Sequence, residues 1–351
     1  MTRVLAVRLD SDGDVLLTGP AVGALRRDAD AVDLLVSPAG RAAAELLPGV
    51  DDVLVLEAPW SGYRPPPVDR RTVEALVDDV RRRGYDEAVV FTSFHQSALP
   101  TALLLRLAGV PRIAAASEDY PGSLLDVRHR RMPGGAPDDG GPAGGHEVTA
   151  ALALVAAAGH PVPAPERARL AVRRPLPDVD RLVPTERYVV VHPGASVPAR
   201  ALTAAHARSL VAGLVEAGHR VVVTGGPGER DAAAEAAGDD ATSTAGRTSL
   251  AELAAVLERA DAVVVPNTGP AHLAAAVGTP VVSLFAPVVP AERWAPWGVP
   301  HVLLGDQDAP CAGSRARECP VPGHPCLSEV SPAEVVRAVQ SLVGAREAVP
   351  L

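Results

Sequence analysis

The chain has 351 residues and carries 33 basic against 42 acidic side chains, a net charge of −9, and every basic one is arginine. That balance leaves no basic face for neutralising nucleic-acid phosphates, and no apolar run approaches the roughly 20 residues of a membrane span. The length exceeds what one hydrophobic core usually serves, so two domains are expected. Cys311, Cys319 and Cys326 lie too close together in the chain to frame a protein of this size with disulfides.

The first apolar run, 4–9, reads as a strand that leads through an acidic turn into a helix over 15–27. The N-terminus therefore turns acidic where a signal peptide would hold its apolar region, and a cytoplasmic protein is expected. Strands follow at 32–36, 53–56, 87–92 and 112–115, with helices at 40–47, 72–83 and 97–107 between them. Alternation of this kind makes βαβ units and a parallel sheet covered by helices. Residues 117–145, rich in Gly and Pro, read as a long loop, functional or disordered, and 147–158 as a short apolar helix. The alternation restarts near 188, with strands at 188–191, 220–224, 262–265 and 280–285 and helices at 203–217, 250–259 and 332–343. Ser249 and Glu252 form a capping box, and Gly278 reads as a helix stop. The expected architecture is α/β: a domain over 1–165, a linker over 166–186 and a second domain over 187–351, with a cleft between them.

RLDSDGDVLLTGP, residues 8–20, places Asp10, Asp12 and Asp14 within five positions. Three readings stand beside one another: a metal site, a helix N-cap, and a general base. A calcium loop started at Asp10 needs Gly and Glu where this chain has Val15 and Ala21, so it fails. An Asp-x-Asp pair bridging a metal to a diphosphate would want phosphate-binding features beside it, and those lie in the other half. Asp10 and Asp12 then read as loop acids. For Asp14, spacing alone favours an N-cap after Gly13 over a general base.

The phosphate-binding features are three strand-to-helix junctions: HPGAS (192–196), TGGPGE (224–229) and PNTGPAH (266–272). Small residues there let backbone N–H groups approach an anion at a helix N-terminus. Ser196 and Thr268 add hydroxyls, and Arg200 adds a fixed charge suited to phosphate oxygens. Neither a P-loop nor a G-x-G-x-x-G fingerprint occurs. In the first half, His95 and the basic cluster Arg128, Arg130 and Arg131 are candidates for holding an acceptor. The arginines also read as plain solvated surface, or as a peripheral membrane contact. The three cysteines and His324 lack the tight pairs of a zinc site, so free thiols are expected.

NTGPAHLAAAVGTPVVSLFAP, at 267–287, resembles the signature of glycosyltransferase family 9, the heptosyltransferase family. RLDSDGDVLLTGPAV resembles that family's opening, HPGAS with Arg200 a third motif, and HPCLSEVSPAEVV its C-terminal portion. The resemblance implies a GT-B fold: two Rossmann-like domains whose parallel sheets face a central cleft, acceptor on the first and nucleotide sugar on the second. It implies an inverting glycosyltransferase that needs no metal or other cofactor. Asp14 matches the family's base, and Ser196, Arg200, Glu229, Asn267, Thr268, Gly269 and His272 match donor-binding positions. Two residues depart from the pattern: Asn267 stands where the family has an acid, and Arg200 where it has Lys. The implied partners are a nucleoside-diphosphate sugar, an ADP-sugar foremost, and a glycan or small-molecule acceptor. A nucleotide-sugar epimerase or hydrolase, or a noncatalytic nucleotide-sugar binder, would suit the same fold.

Overall fold

The computed structural model describes residues 2–62, 64–93, 95–130 and 145–347. The chain divides into two compact units, Met1–Val172 and Arg173–Leu351. In the first, β1 (Arg3–Arg8), α1 (Asp12–Asp28), β2 (Ala31–Val36), α2 (Arg41–Leu46) and β3 (Val53–Val55) come in sequence. They are followed by α3 (Arg70–Arg83), β4 (Glu87–Phe91), α4 (Leu99–Leu107), β5 (Arg112–Ala116), β6 (Val127–His129) and α5 (Glu147–Ala157).

Among the described residues, six strands form one sheet in the order β3-β2-β1-β4-β5-β6, and every pairing is parallel. β1, β2 and β4 are almost wholly buried, which is why they read as unbroken apolar runs rather than alternating ones. On one face, Leu5, Val7, Val90 and Ile113 pack with Val80 of α3 and with Ala102 and Leu105 of α4. α3 is held at both ends: the Asp69 carboxylate accepts from the Thr72 N–H at 2.8 Å, and Gly84 closes the helix at φ +65°.

The second unit repeats the plan with β7 (Val189–Val191), α6 (Ala204–Glu216), β8 (Val221–Val223), α7 (Arg230–Ala237), β9 (Thr242–Ser243) and α8 (Leu250–Arg259). Then come β10 (Ala262–Pro266), α9 (Gly269–Ala276), β11 (Val281–Leu284), α10 (Ala291–Trp294), β12 (His301–Leu304), α11 (Pro325–Ser328) and α12 (Pro332–Glu347). Its sheet, β12-β11-β10-β7-β8-β9, is again parallel throughout. Counted within the unit, this is the same strand order as in the first. Val191, Val223, Val264 and Val282 build its core with Leu210 and Leu214 of α6 and Val335 and Val339 of α12.

That order reverses direction between β1 and β4, and again between β7 and β10. At such a switch point the connections after neighbouring strands depart to opposite sides, leaving a crevice at the strands' carboxyl ends where ligands bind. The acidic stretch leaves β1, whereas HPGAS leaves β7 and PNTG leaves β10, so sequence and topology converge on both crevices.

Two expectations need correction. The stretch 117–145 is not loop throughout, because β6 extends the sheet by pairing with β5. α1 begins at Asp12 rather than 15: Ser11 takes the N-cap position and two acids fill the first turn, where they favour the helix dipole. α6 lies where the helix over 203–217 was expected, and a 3₁₀ turn over Pro198–Arg200 fills the stretch between HPGAS and it. β9 and β12 were not anticipated. β9 has two residues, and β12 is a partly exposed edge strand, so neither presents a sustained apolar run.

Candidate functional site

In the first unit the site is built around Arg8, the last residue of β1. An arginine ending a buried strand has to find its counter-charges in the interior, and Arg8 is only 2% exposed. Its Nη2 donates to Ser93 Oγ at 2.9 Å, Asp14 Oδ1 at 3.2 Å and Glu147 Oε2 at 3.3 Å. Asp10 Oδ2 lies 2.7 Å from Nε but off the N–H axis, so that contact is an ion pair without a hydrogen bond. One guanidinium thus serves three carboxylates, brought from the β1–α1 turn, from α1 and from α5.

The three aspartates of the acidic stretch have separate duties. Asp14 is the third residue of α1 and so is not its N-cap; Ser11 Oγ donates to its Oδ2 at 3.1 Å. Asp12 accepts the Ala43 N–H at 3.0 Å, tying the start of α1 to α2, and burial raises its carboxyl above the ordinary range. Asp10 accepts from Gln96 Nε2 at 2.6 Å. Burial pushes its carboxyl up to about 6; Arg8 opposes the rise and the charge of Asp14 adds to it. Asp10 and Asp12 are therefore structural partners and not solvated loop acids.

His95 lines a cavity of about 210 Å³ with Thr92, Gln96, Ser117, Glu118 and Asp119, at the carboxyl ends of β4 and β5. Arg128 donates through Nε to the Ser117 carbonyl at 3.0 Å and through Nη2 to that of Glu118, so its guanidinium braces the segment after β5. Arg130 is exposed, and Arg131 lies outside the described residues.

In the second unit two of the three junctions, HPGAS and TGGPGE, interlock. His192 is buried at the exit of β7, and its Nδ1 meets Thr224 Oγ1 at the exit of β8, 2.9 Å away. Burial holds this imidazole below its ordinary range, against the pull of Glu229. Glu229 Oε2 accepts the Gly226 N–H at 2.6 Å, and its carboxylate lies directly over Gly194: a Cβ there would sit 1.9 Å from Glu229 Oε1. A side chain at Gly194 would therefore have to displace the Glu229 carboxylate from its place over HPGAS.

At the exit of β10, Thr268 is the N-cap of α9 with no side-chain cap bond, Gly269 is the first helical residue, and His272 is buried one turn in. Asn267 is committed to the backbone of a single residue, Ala286. Its Nδ2 donates to the Ala286 carbonyl at 3.2 Å and its Oδ1 accepts the Ala286 N–H at 3.1 Å. An aspartate could satisfy only the second of these, which gives the departure at this position a structural reason. Ser196 is exposed and Arg200 half-buried, on the turn between β7 and α6.

The three cysteines carry free thiols: Cys311 and Cys326 are buried in the core, and Cys319 packs against it. Burial pushes the Cys326 thiol up to about 11, so it stays protonated. Among the described residues no group of His, Cys, Asp and Glu is arranged to hold a metal ion. No helix there is long and apolar enough to cross a membrane.

Two parallel sheets of Rossmann order, each with its loops gathered at a switch point, define the GT-B class of α/β proteins. The chain belongs to glycosyltransferase family 9 (heptosyltransferase), whose model matches residues 73–324. It is 30% identical over 167 residues to lipopolysaccharide heptosyltransferase 3 of Escherichia coli, a match covering 45% of this chain and 47% of the relative. The chain thus spans about half the length of that relative. Among solved structures, the E. coli ADP-heptose LPS heptosyltransferase II superposes with a TM-score of 0.73 at 18% identity, over 99% of this chain and 100% of the other. The E. coli heptosyltransferase WaaC with ADP gives 0.68 at 19% identity, over 99% and 100%.

Sequence reasoning missed Arg8, Ser93 and Glu147. The signal for Arg8 was present, as a charge closing the run VLAV. Glu147 opens the apolar helix EVTAALALVAA, where an acid reads as a helix-dipole partner. Nothing in the sequence joins residues 139 positions apart.

Proposed function

We propose that the protein is an inverting, metal-independent glycosyltransferase that moves a sugar from a nucleoside diphosphate to an acceptor hydroxyl. ADP-heptose is the favoured donor and a glycan or small-molecule scaffold the acceptor. The first unit would receive the acceptor and the second the donor. The observation that carries the reading is the convergence, at the β7/β10 switch point, of HPGAS and the N-terminus of α9. Such a crevice suits a diphosphate: amides at the start of α9 present partial positive charge, and Thr268 adds a hydroxyl. Arg200 contributes a full charge from the β7–α6 turn. Family membership, and the ADP and ADP-heptose named for the two superposed structures, support an adenine nucleotide in this reading.

In this reading Asp14 takes the proton of the acceptor hydroxyl as its oxygen attacks the anomeric carbon. The bond from that carbon to the diphosphate breaks, and the electron pair leaves with the phosphate oxygen. Arg200 and the α9 amides stabilise the charge that gathers there. Attack opposite the leaving group inverts the anomeric centre in one displacement.

Asp14→Asn should lower kcat by about 10²–10⁴-fold, the range for a general base, while ADP still raises Tm as in the wild type. Full activity in this variant would remove Asp14 from the role. ADP should stabilise the chain more than GDP or UDP at equal concentration. Chelation with EDTA should leave turnover unchanged, and loss restored by magnesium would overturn metal independence. Release of free or epimerised sugar without an acceptor would favour the epimerase or hydrolase reading.

A further inference from the structure

We propose that Arg8 is a positioning residue for Asp14 and that Glu147 sets the position of Arg8, so that α5 takes part in the chemistry. The inference rests on the reading of Asp14 as base and names what that base needs around it. A base on the first turn of a helix is held by its neighbours, and Ser11 and Arg8 are among those of Asp14. Ser11 Oγ contacts Oδ2 from the helix start, and Arg8 Nη2 contacts Oδ1 from the end of β1.

Arg8 in turn is fixed from three directions. Ser93, just beyond β4, accepts from Nη2. Asp10 pairs with Nε. Glu147 Oε2 lies 3.4 Å from Nη1 and 3.3 Å from Nη2, straddling the end of the fork. A planar guanidinium gripped on both edges cannot turn without breaking a buried contact. Glu147 is itself buried, and the N-cap of its helix is the buried His146, whose Nδ1 accepts the Val148 N–H.

Among the described residues, the charged and titratable groups that face Asp14 include Arg8 from β1, Asp10 from the following turn, and Glu147 and His146 at the start of α5. The neutral Ser93 and Gln96 come from the segment after β4. Because three carboxylates share one cation, each change of charge has a predictable sign. Removing Arg8 leaves the acids facing one another, which favours protonation of Asp14. Removing the charge of Glu147 takes away a like charge and favours the ionised form.

The test uses the full chain labelled with ¹³C at Asp and Glu carboxyls, with the Asp14 resonance assigned by its loss in Asp14→Asn. In Arg8→Gln the Asp14 midpoint should move up by about one pH unit or more; in Glu147→Gln it should move down. The acidic limb of kcat, followed as ADP release from ADP-heptose with any acceptor that supports turnover, should move the same way. KM for ADP-heptose should hold while kcat falls by about 10²-fold in Arg8→Gln, as expected for a misplaced base. Arg8→Lys should restore the midpoint but only part of kcat, because it keeps the charge and loses the fork.

A midpoint that stays put in both Arg8→Gln and Glu147→Gln overturns the proposal, as does a shift of the same sign in both. If Arg8→Gln does not fold, the direction in Glu147→Gln decides alone. Loss of the base reading has its own signature, wild-type turnover in Asp14→Asn, and is read independently of these midpoints.

Discussion

At the residue scale, Asp10 shows how a carboxylate can stabilise a site while weakening the fold. Its carboxyl is raised from 3.8 to about 6, burial being the first cause. A carboxyl raised on folding binds its proton more tightly in the folded state. Stability therefore falls as pH rises through the window from about 4 to 6 and stays lowered above it. Asp10→Asn mimics the protonated form and keeps an oxygen for Gln96. The variant should be more stable than wild type at pH 7.5, by an amount on the order of 1 kcal/mol. The gain should shrink towards zero at pH 4. Urea midpoints at the two pH values measure it, and destabilisation at pH 7.5 would refute it. None of this was readable in RLDSDGDVLLTGP, where three acids of one type stand in alternation. Burial separates them, and burial depends on Gln96 and Ala43, which other elements deliver.

At the element scale, the junctions were legible and their interlocking was not. HPGAS, TGGPGE and PNTGPAH announce themselves by small residues at strand ends, because few side chains tolerate those turns. The contacts that fix them reach to distant positions in the chain: His192 to Thr224 over 32 positions and Asn267 to Ala286, beyond β11, over 19. Only the parallel pairing of the strands brings these together. The tightest contact is the carboxylate of Glu229 over Gly194. Gly194→Ala should force that carboxylate off the Gly226 N–H and cost about 1–3 kcal/mol, the range for overpacking. In a Glu229→Ala background the same substitution should cost little, since the clash is gone. A double-mutant cycle on chemical denaturation reads the coupling, and equal cost in both backgrounds would show that Gly194 is needed for its backbone alone.

At the scale of the whole molecule, the sequence carried the repetition of a βαβ plan, because parallel strands buried on both faces must be apolar throughout. It left β6, β9 and β12 unseen, since partly exposed or very short strands carry little such pattern. Each unit encloses its own apolar cluster, one through Leu5, Val7 and Ile113 and the other through Val191, Val264 and Val339. Cores that share no residues can melt separately, and a ligand stabilises only the unit that binds it. The tryptophans separate the two: Trp60 belongs to the first unit and Trp294 and Trp297 to the second. Trp60→Phe makes fluorescence a reporter of the second unit, and Trp294→Phe with Trp297→Phe makes it a reporter of the first. With ADP at a hundredfold excess over its Kd, the second unit should gain about 2.7 kcal/mol. The first unit's denaturant midpoint should scarcely move. One transition displaced equally under both reporters would mean that the units unfold together, and ADP would then stabilise the residues around Asp14 as much as those around Gly194.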